Sequence, residues 1–186
     1  MISGIFLVTL SLTHNYLRAR ALRIDRSTVD AYVTQVSKVN QSTIPKHIFI
    51  PWNTDSEISP QLYDQGEWTI SPDKVSYLLN SARPGDPGNI ILYGHNKREI
   101  LGNIRALKGG EKITLTLNNG VKRIYVVKKI VEVSPAQTEL LIPTTTEILT
   151  LYTCSGPLDS RRFVVQAESL PNQSLEPVDP AGAPVF

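Results

Sequence analysis

Apolar and polar positions alternate over several short stretches of this chain, with the period of a β-strand. Lys112 to Leu117 (KITLTL) alternates strictly. Asn118-Asn119-Gly120 follows, carrying the Asn-Gly pair that favours a tight hairpin. Lys122 to Val133 (KRIYVVKKIVEV) is rich in β-branched residues and long enough to bend between two neighbours. Glu147 to Cys154 (EILTLYTC) predicts another strand, ended by Ser155-Gly156-Pro157, and Arg161 to Ala167 (RRFVVQA) predicts the last. Asn89 to His95 (NIILYGH) is different: a continuous apolar run that predicts a buried strand opening into a loop at Gly-His.

The N-terminal half is less regular. Ile44 to Pro51 (IPKHIFIP) predicts a short strand bounded by prolines, and Glu67 to Ile70 a second short one. Asp73 to Ser81 predicts one or two helical turns. Arg83 to Gly88 (RPGDPG) is a dense turn signal. No α/β alternation with long helices and no internal repeat is present. The pattern therefore predicts a mostly β fold, a mostly antiparallel barrel with short helices.

The flanks read differently. Residues 1–26 open with the apolar run MISGIFLVTLSL, followed by Arg18, Arg20, Arg23 and Arg26. The run is short of the ~20 residues that a membrane span needs. A membrane anchor, an uncleaved signal-like segment and a docked amphipathic helix all fit it. Residues 27–43 predict a helical linker, with Ser27 as a cap and Val29, Val33 and Val36 on one face. Residues 44–169 form the expected folded domain. Residues 170–186, with Pro171, Pro177, Pro180 and Pro184, predict a disordered tail.

Composition narrows the function. With 19 Lys+Arg against 17 Asp+Glu, the net charge is +2 and no basic stripe stands out, which argues against nucleic acid as a partner. A single Cys excludes an intramolecular disulfide framework and any multi-Cys zinc site. Three scattered His residues suggest no His-rich metal site.

That single Cys is the first candidate for chemistry. A lone Cys is usually a small buried hydrophobe. Cys154, however, ends an alternating strand just before a loop, so a rigid element would hold it at a solvent-open rim. His95 also ends an apolar strand, whereas His14 and His47 have no such setting. A thiol–imidazole pair forms only if the fold joins the two strand ends. Arg161 and Arg162 open the strand after the Cys loop. Their side chains face opposite ways, so only one can point at Cys154. A solvated basic pair is the alternative.

LTLYTCSGPLDSRRFVVQA resembles the signature around the active-site Cys of sortases: a Thr-Leu-x-Thr-Cys strand end, a loop, and an Arg opening an apolar strand. NIILYGHNKREILGNIRALKGGEKITL resembles the sortase His segment, and SARPGDPGN matches the approach to it. The resemblance covers roughly Ile44 to Glu168 and implies an eight-stranded antiparallel or mixed β-barrel. It implies Cys154 as nucleophile, His95 as acid/base and Arg162 as the substrate-orienting, oxyanion-stabilising residue. Thr153 would combine a strand role with substrate contact. Asp159, in the Cys–Arg loop, is expected to serve a turn.

The implied activity is that of a cysteine transpeptidase. It would cleave a sorting motif of the Leu-Pro-x-Thr-Gly type on surface proteins and pass the acyl group to an amine, on a cell-wall precursor or a pilin lysine. The implied location is the cell membrane, crossed once by the N-terminal segment, with the catalytic domain outside. No cofactor is expected, and modulation by Ca²⁺ stays open. The N-terminus departs from the family pattern, in which the anchor is usually longer and follows basic residues.

Other cysteine enzymes fit less well. Papain-like peptidases place Cys before His, and the caspase Gln-Ala-Cys-x-Gly signature is absent. An L,D-transpeptidase would carry Gly directly before the Cys. A non-catalytic binding module of this fold and a cysteine protease on it remain as alternatives.

Overall fold

The computed structural model describes residues 41–51, 54–64 and 67–170. The expectations for an N-terminal anchor, for the linker up to residue 40 and for the tail from residue 171 lie outside these residues. Among the described residues, no helix is long and apolar enough to cross a membrane.

Eight strands close into a barrel. They are β1 (Pro45–Ile50), β2 (Thr54–Gln61), β5 (Val75–Leu78), β6 (Gly88–Gly94), β7 (Lys112–Leu117), β8 (Lys122–Val133), β9 (Glu147–Ser155) and β10 (Arg161–Ser169). Their order is β1-β2-β5-β6-β9-β10-β8-β7, with β7 returning to β1. β3 (Tyr63–Asp64) and β4 (Glu67–Trp68) form a separate small hairpin. Two neighbours, β2–β5 and β6–β9, run parallel, and the other barrel pairs are antiparallel. The barrel is therefore mixed. Its closure removes the open edges that a flat sheet would present for pairing.

β7 and β8 match the expected bounds, and the Asn-Gly turn joins them, with Gly120 at φ 82°. β8 does bend between two neighbours, pairing with β7 through Lys122–Val126 and with β10 through Tyr125–Val133. The helical turns expected at Asp73–Ser81 are absent. Val75 to Leu78 form a strand instead, buried at every position between β2 and β6. Two-sided burial favours β-branched Val75 and aromatic Tyr77 over any local helical preference. β2 is the strand that the pattern did not predict. Its sequence TDSEISPQ is polar and contains Pro60, and among its described side chains Ser56 and Ile58 are the buried ones.

Leu149 and Leu151 of β9, Ile90 and Leu92 of β6, and Val165 and Ala167 of β10 all point into the barrel, each essentially buried. Ile100, Leu101 and Ile104, from the segment after β6, enter the same core. That segment packs close to the strand. A side chain at Gly94 would place its Cβ 2.7 Å from Ile100, so glycine is needed there for space.

Candidate active site

The face that carries the candidate residues is the outside of the barrel wall, because strand alternation sends every second residue of β6, β9 and β10 outward. On β9 the outward positions are Thr150, Tyr152 and Cys154, on β6 Ile91 and Tyr93, and on β10 Gln166, Val164 and Arg162. The ladders set these in rows. Ile91, Thr150 and Gln166 form one row, and Tyr93, Tyr152 and Val164 the next. Arg162 lies directly across from Cys154. The β6–β9 ladder ends at Gly94 and Thr153, so position 95 is the next one beside Cys154. Positions 154 and 162 thus face each other across β9 and β10, and position 95 lies just past the last paired residue of β6.

This face is walled by the connection between β8 and β9, residues 134–146. Polar side chains of β6, β9 and β10 hold that connection. Asn89 Nδ2 donates to the carbonyls of Leu140 at 2.9 Å and Ile142 at 3.1 Å. Gln166 Nε2 donates to Leu140 O at 3.1 Å. Thr150 Oγ1 donates to Asn89 Oδ1 at 2.6 Å, which fixes the amide in turn. Beneath the connection, Leu78, Ile91 and Tyr93 form a second apolar cluster, against which Leu141 and Tyr152 pack. The apolar run Asn89–His95 reads as continuous for this reason: β6 is buried on both faces.

Between wall and strands lies a cleft of about 370 Å³. Its lining includes Cys154, Arg162 and Thr153, together with Tyr93, Tyr152 and Leu141. Cys154 is half-buried, as a thiol at a rim should be. Arg162 Nη1 donates to the carbonyls of Asp159 at 2.7 Å and Arg161 at 2.9 Å. Asp159 therefore meets Arg162 through its backbone. It sits in a tight turn where Leu158 and Asp159 have φ of 53° and 58°, a left-handed conformation uncommon for such residues. Among the described residues, no carboxylate forms an ion pair with Arg162.

Thr153 faces inward. It is 1% exposed, and its Oγ1 donates to Gly94 O at 2.8 Å. The hydroxyl ties β9 to β6 just below the His95–Cys154 pair of positions. His95 is half-buried at the end of β6 and is not among the residues lining the cleft. Arg161 turns the other way and pairs with Glu132 at 3.4 Å. His47 pairs with Asp55 at 3.3 Å on exposed parts of β1 and β2, apart from the cleft, and His14 lies outside the described residues.

The two tyrosines and Leu141 were not singled out from the sequence. The signal for Tyr152 was available, because it precedes Cys154 by two residues on an alternating strand and so shares its face. Burial raises the pKa of Tyr93 to about 12. Burial also raises that of Tyr152, against the opposing charge and hydrogen bond of Arg162. Both hydroxyls are therefore neutral donors and acceptors in the cleft at ordinary pH.

A family model described as a sortase domain matches residues 22–170. Sortase A from Corynebacterium diphtheriae, in a lid-mutant form, is 25% identical, with a TM-score of 0.60 over 81% of this chain and 81% of that one. Sortase C-1 from Actinomyces oris is 23% identical, with a TM-score of 0.62 over 77% of this chain and 82% of that one. Sortase C1 from Streptococcus agalactiae is 23% identical, with a TM-score of 0.60 over 72% and 71% of the two chains. No curated protein sequence matches the chain. With the family match spanning most of its length, on an eight-stranded barrel of this topology, the chain belongs to the sortase family of cysteine transpeptidases.

Proposed function

We propose that the protein cleaves a C-terminal sorting motif of the Leu-Pro-x-Thr-Gly type through a thioester at Cys154 and passes the acyl group to an amine. The facing positions of Cys154 and Arg162 in an apolar-walled cleft, with His95 just past the end of the neighbouring strand β6, support this reading. The Cys154 thiolate attacks the substrate Thr carbonyl and forms a tetrahedral oxyanion. Arg162 donates to that oxygen or to the neighbouring substrate carbonyl, with a charge that no carboxylate offsets among the described residues. His95 as imidazolium protonates the leaving amine, and as neutral imidazole it accepts the proton of the incoming amine. The apolar wall around Leu141 and Tyr93 suits the apolar side chains of a sorting motif.

The acceptor is an amine on a cell-wall precursor or a pilin lysine, and the substrates are surface proteins with a sorting signal. The catalytic domain works outside the cell, held at the membrane by the N-terminal segment. The test is mass spectrometry of the protein after incubation with a library of sorting-motif peptides. A thioester at Cys154 is expected with one group of motifs, and added amine should divert the product from free acid to amide. A thioester resolved only by water, whatever amine is supplied, would make the protein a cysteine protease. No thioester with any motif would favour a binding module.

A further inference from the structure

Arg162 needs to be aimed. Its side chain is long and flexible, and ordering it costs entropy. An ion pair is the usual device, but a carboxylate at this spot would cancel the charge that the oxyanion needs. The contacts found here are all neutral. One guanidinium nitrogen donates to the carbonyls of Asp159 and Arg161. On the cleft side Tyr152 is the diagonal cross-strand neighbour of Arg162, close enough for long side chains to meet, and the two line the same cleft.

Tyr152 is well placed for this. It shares the outer face of β9 with Cys154, and it stands opposite Val164, two residues from Arg162 on the same face of β10. Its ring is half-buried and packs against the Leu78, Ile91 and Tyr93 cluster. Swinging the ring away would uncover that cluster, which restrains its orientation. Tyr152, Cys154 and Arg162 line the same cleft.

We propose that Tyr152 is a positioning residue of this site: its phenol oxygen accepts a hydrogen bond from Arg162 and holds the guanidinium beside Cys154 with its full positive charge. A neutral acceptor fixes the direction of the fork and leaves the remaining N–H groups for substrate oxygens. The role rests on the transpeptidase reading above.

The test compares the full chain with Tyr152→Phe, Arg162→Lys and the double variant, on a peptide from the library that wild type cleaves. Tyr152→Phe keeps the ring and loses only the acceptor. Its kcat should fall about tenfold, the scale of one hydrogen bond to a charged group, while KM changes less than about twofold. In the Arg162→Lys background, where the planar fork is gone, the same change should cost less than about threefold. Melting temperatures should match within each pair.

Full kcat in Tyr152→Phe would overturn the proposal. So would a tenfold loss that persists undiminished in the Arg162→Lys background, since Tyr152 would then act without the arginine. A thioester in wild type that is lost in Cys154→Ala sustains the transpeptidase reading, so a failure of the tyrosine series would then fall on Tyr152 alone. Absence of any thioester in wild type overturns that reading and the role of Tyr152 with it.

Discussion

Arg123, near the start of β8, sends its guanidinium into the carboxylate of Glu147, the first residue of β9, with Nε at 3.0 Å and Nη2 on the second oxygen. The same carboxylate accepts from Tyr125 Oη at 2.7 Å and from the backbone of Gly85 at 2.9 Å. Both charged side chains are nearly buried, at 11% and 13% exposure. At the other end of β9, Arg162 donates to two backbone carbonyls, and no carboxylate pairs with it among the described residues. The first arginine is neutralised by a buried carboxylate that also holds Tyr125 and Gly85, so the pair clamps β8, β9 and the 83–88 turn. The second keeps a charge that no carboxylate pairs with among the described residues. Arginine beside a strand end is thus no mark of function. The difference lies in whether an anion already fills the fork.

The contrast can be broken most severely at the thiol. Cys154→Ala should abolish thioester formation and cleavage while leaving the melting temperature near that of wild type. Appreciable cleavage by this variant would rule out covalent catalysis through Cys154. Cys154→Ser should be nearly as inactive, since a hydroxyl without a stronger base is a much weaker nucleophile.

The two arginines should then separate by readout. Arg162→Ala should lower kcat by roughly 10²–10³, the scale of a lost oxyanion donor. Its stability should stay within about 1 kcal/mol of wild type, as for most substitutions outside the core. Arg123→Ala should do the reverse. It strands a buried carboxylate, which costs about 3–5 kcal/mol, and the surviving folded fraction should cleave at the normal rate. Denaturant titration and single-turnover cleavage on the same samples check both. Equal effects on both readouts would end the distinction between clamp and tool.

Much of this was legible in the sequence. Cys154 and Arg162 stand at strand ends written in plain alternation, so their shared face follows from parity once β9 and β10 pair. Gly94-His95 was legible for a similar reason, since a long apolar run must be buried and must end. What failed was local. Val75–Leu78 carries no alternation because both its faces are buried, and β2 is polar because few of its residues face the core. Glu147 looked like an ordinary strand residue. Its four-way hydrogen bonding joins residues from Gly85 to Tyr125, distances along the chain that no local pattern spans. The cleft wall was hidden too, because it is built by Asn89 and Gln166 gripping backbone carbonyls, a contact without a sequence signature.

A weaker probe of the same contrast is alkaline pH. Burial pushes Tyr77 up to about 12, with Arg83 and Ser81 opposing it, and pushes Tyr93 to about 12. The ordinary value is near 10. A raised tyrosine pKa favours the neutral form in the fold. Its stabilisation is therefore complete below pH ~10 and is lost as pH rises towards 12. The melting temperature should fall across that window. Tyr77→Phe should fall less steeply over it, because it has no phenol to ionise and gives up only the hydrogen bond to Ala82 O at 3.0 Å. Parallel slopes for the two proteins would mean that other groups govern alkaline unfolding.

The smallest effect is expected at Arg161, the immediate neighbour of Arg162. It faces the opposite side of β10, where it pairs with Glu132 at 3.4 Å and also donates to the Glu132 carbonyl at 3.3 Å. Both side chains are about half exposed, at 50% and 42%. Such pairs contribute about 0–1 kcal/mol and are screened by salt. Arg161→Ala should therefore change kcat by less than about twofold, and any loss of stability should shrink in about 1 M salt. The variant does remove one guanidinium from the β9–β10 turn, but the carbonyl of Arg161 that accepts from Arg162 is backbone and survives the substitution. A loss of activity rivalling that of Arg162→Ala would mean that the pairing of β9 with β10 is shifted by one residue, with Arg161 beside the thiol.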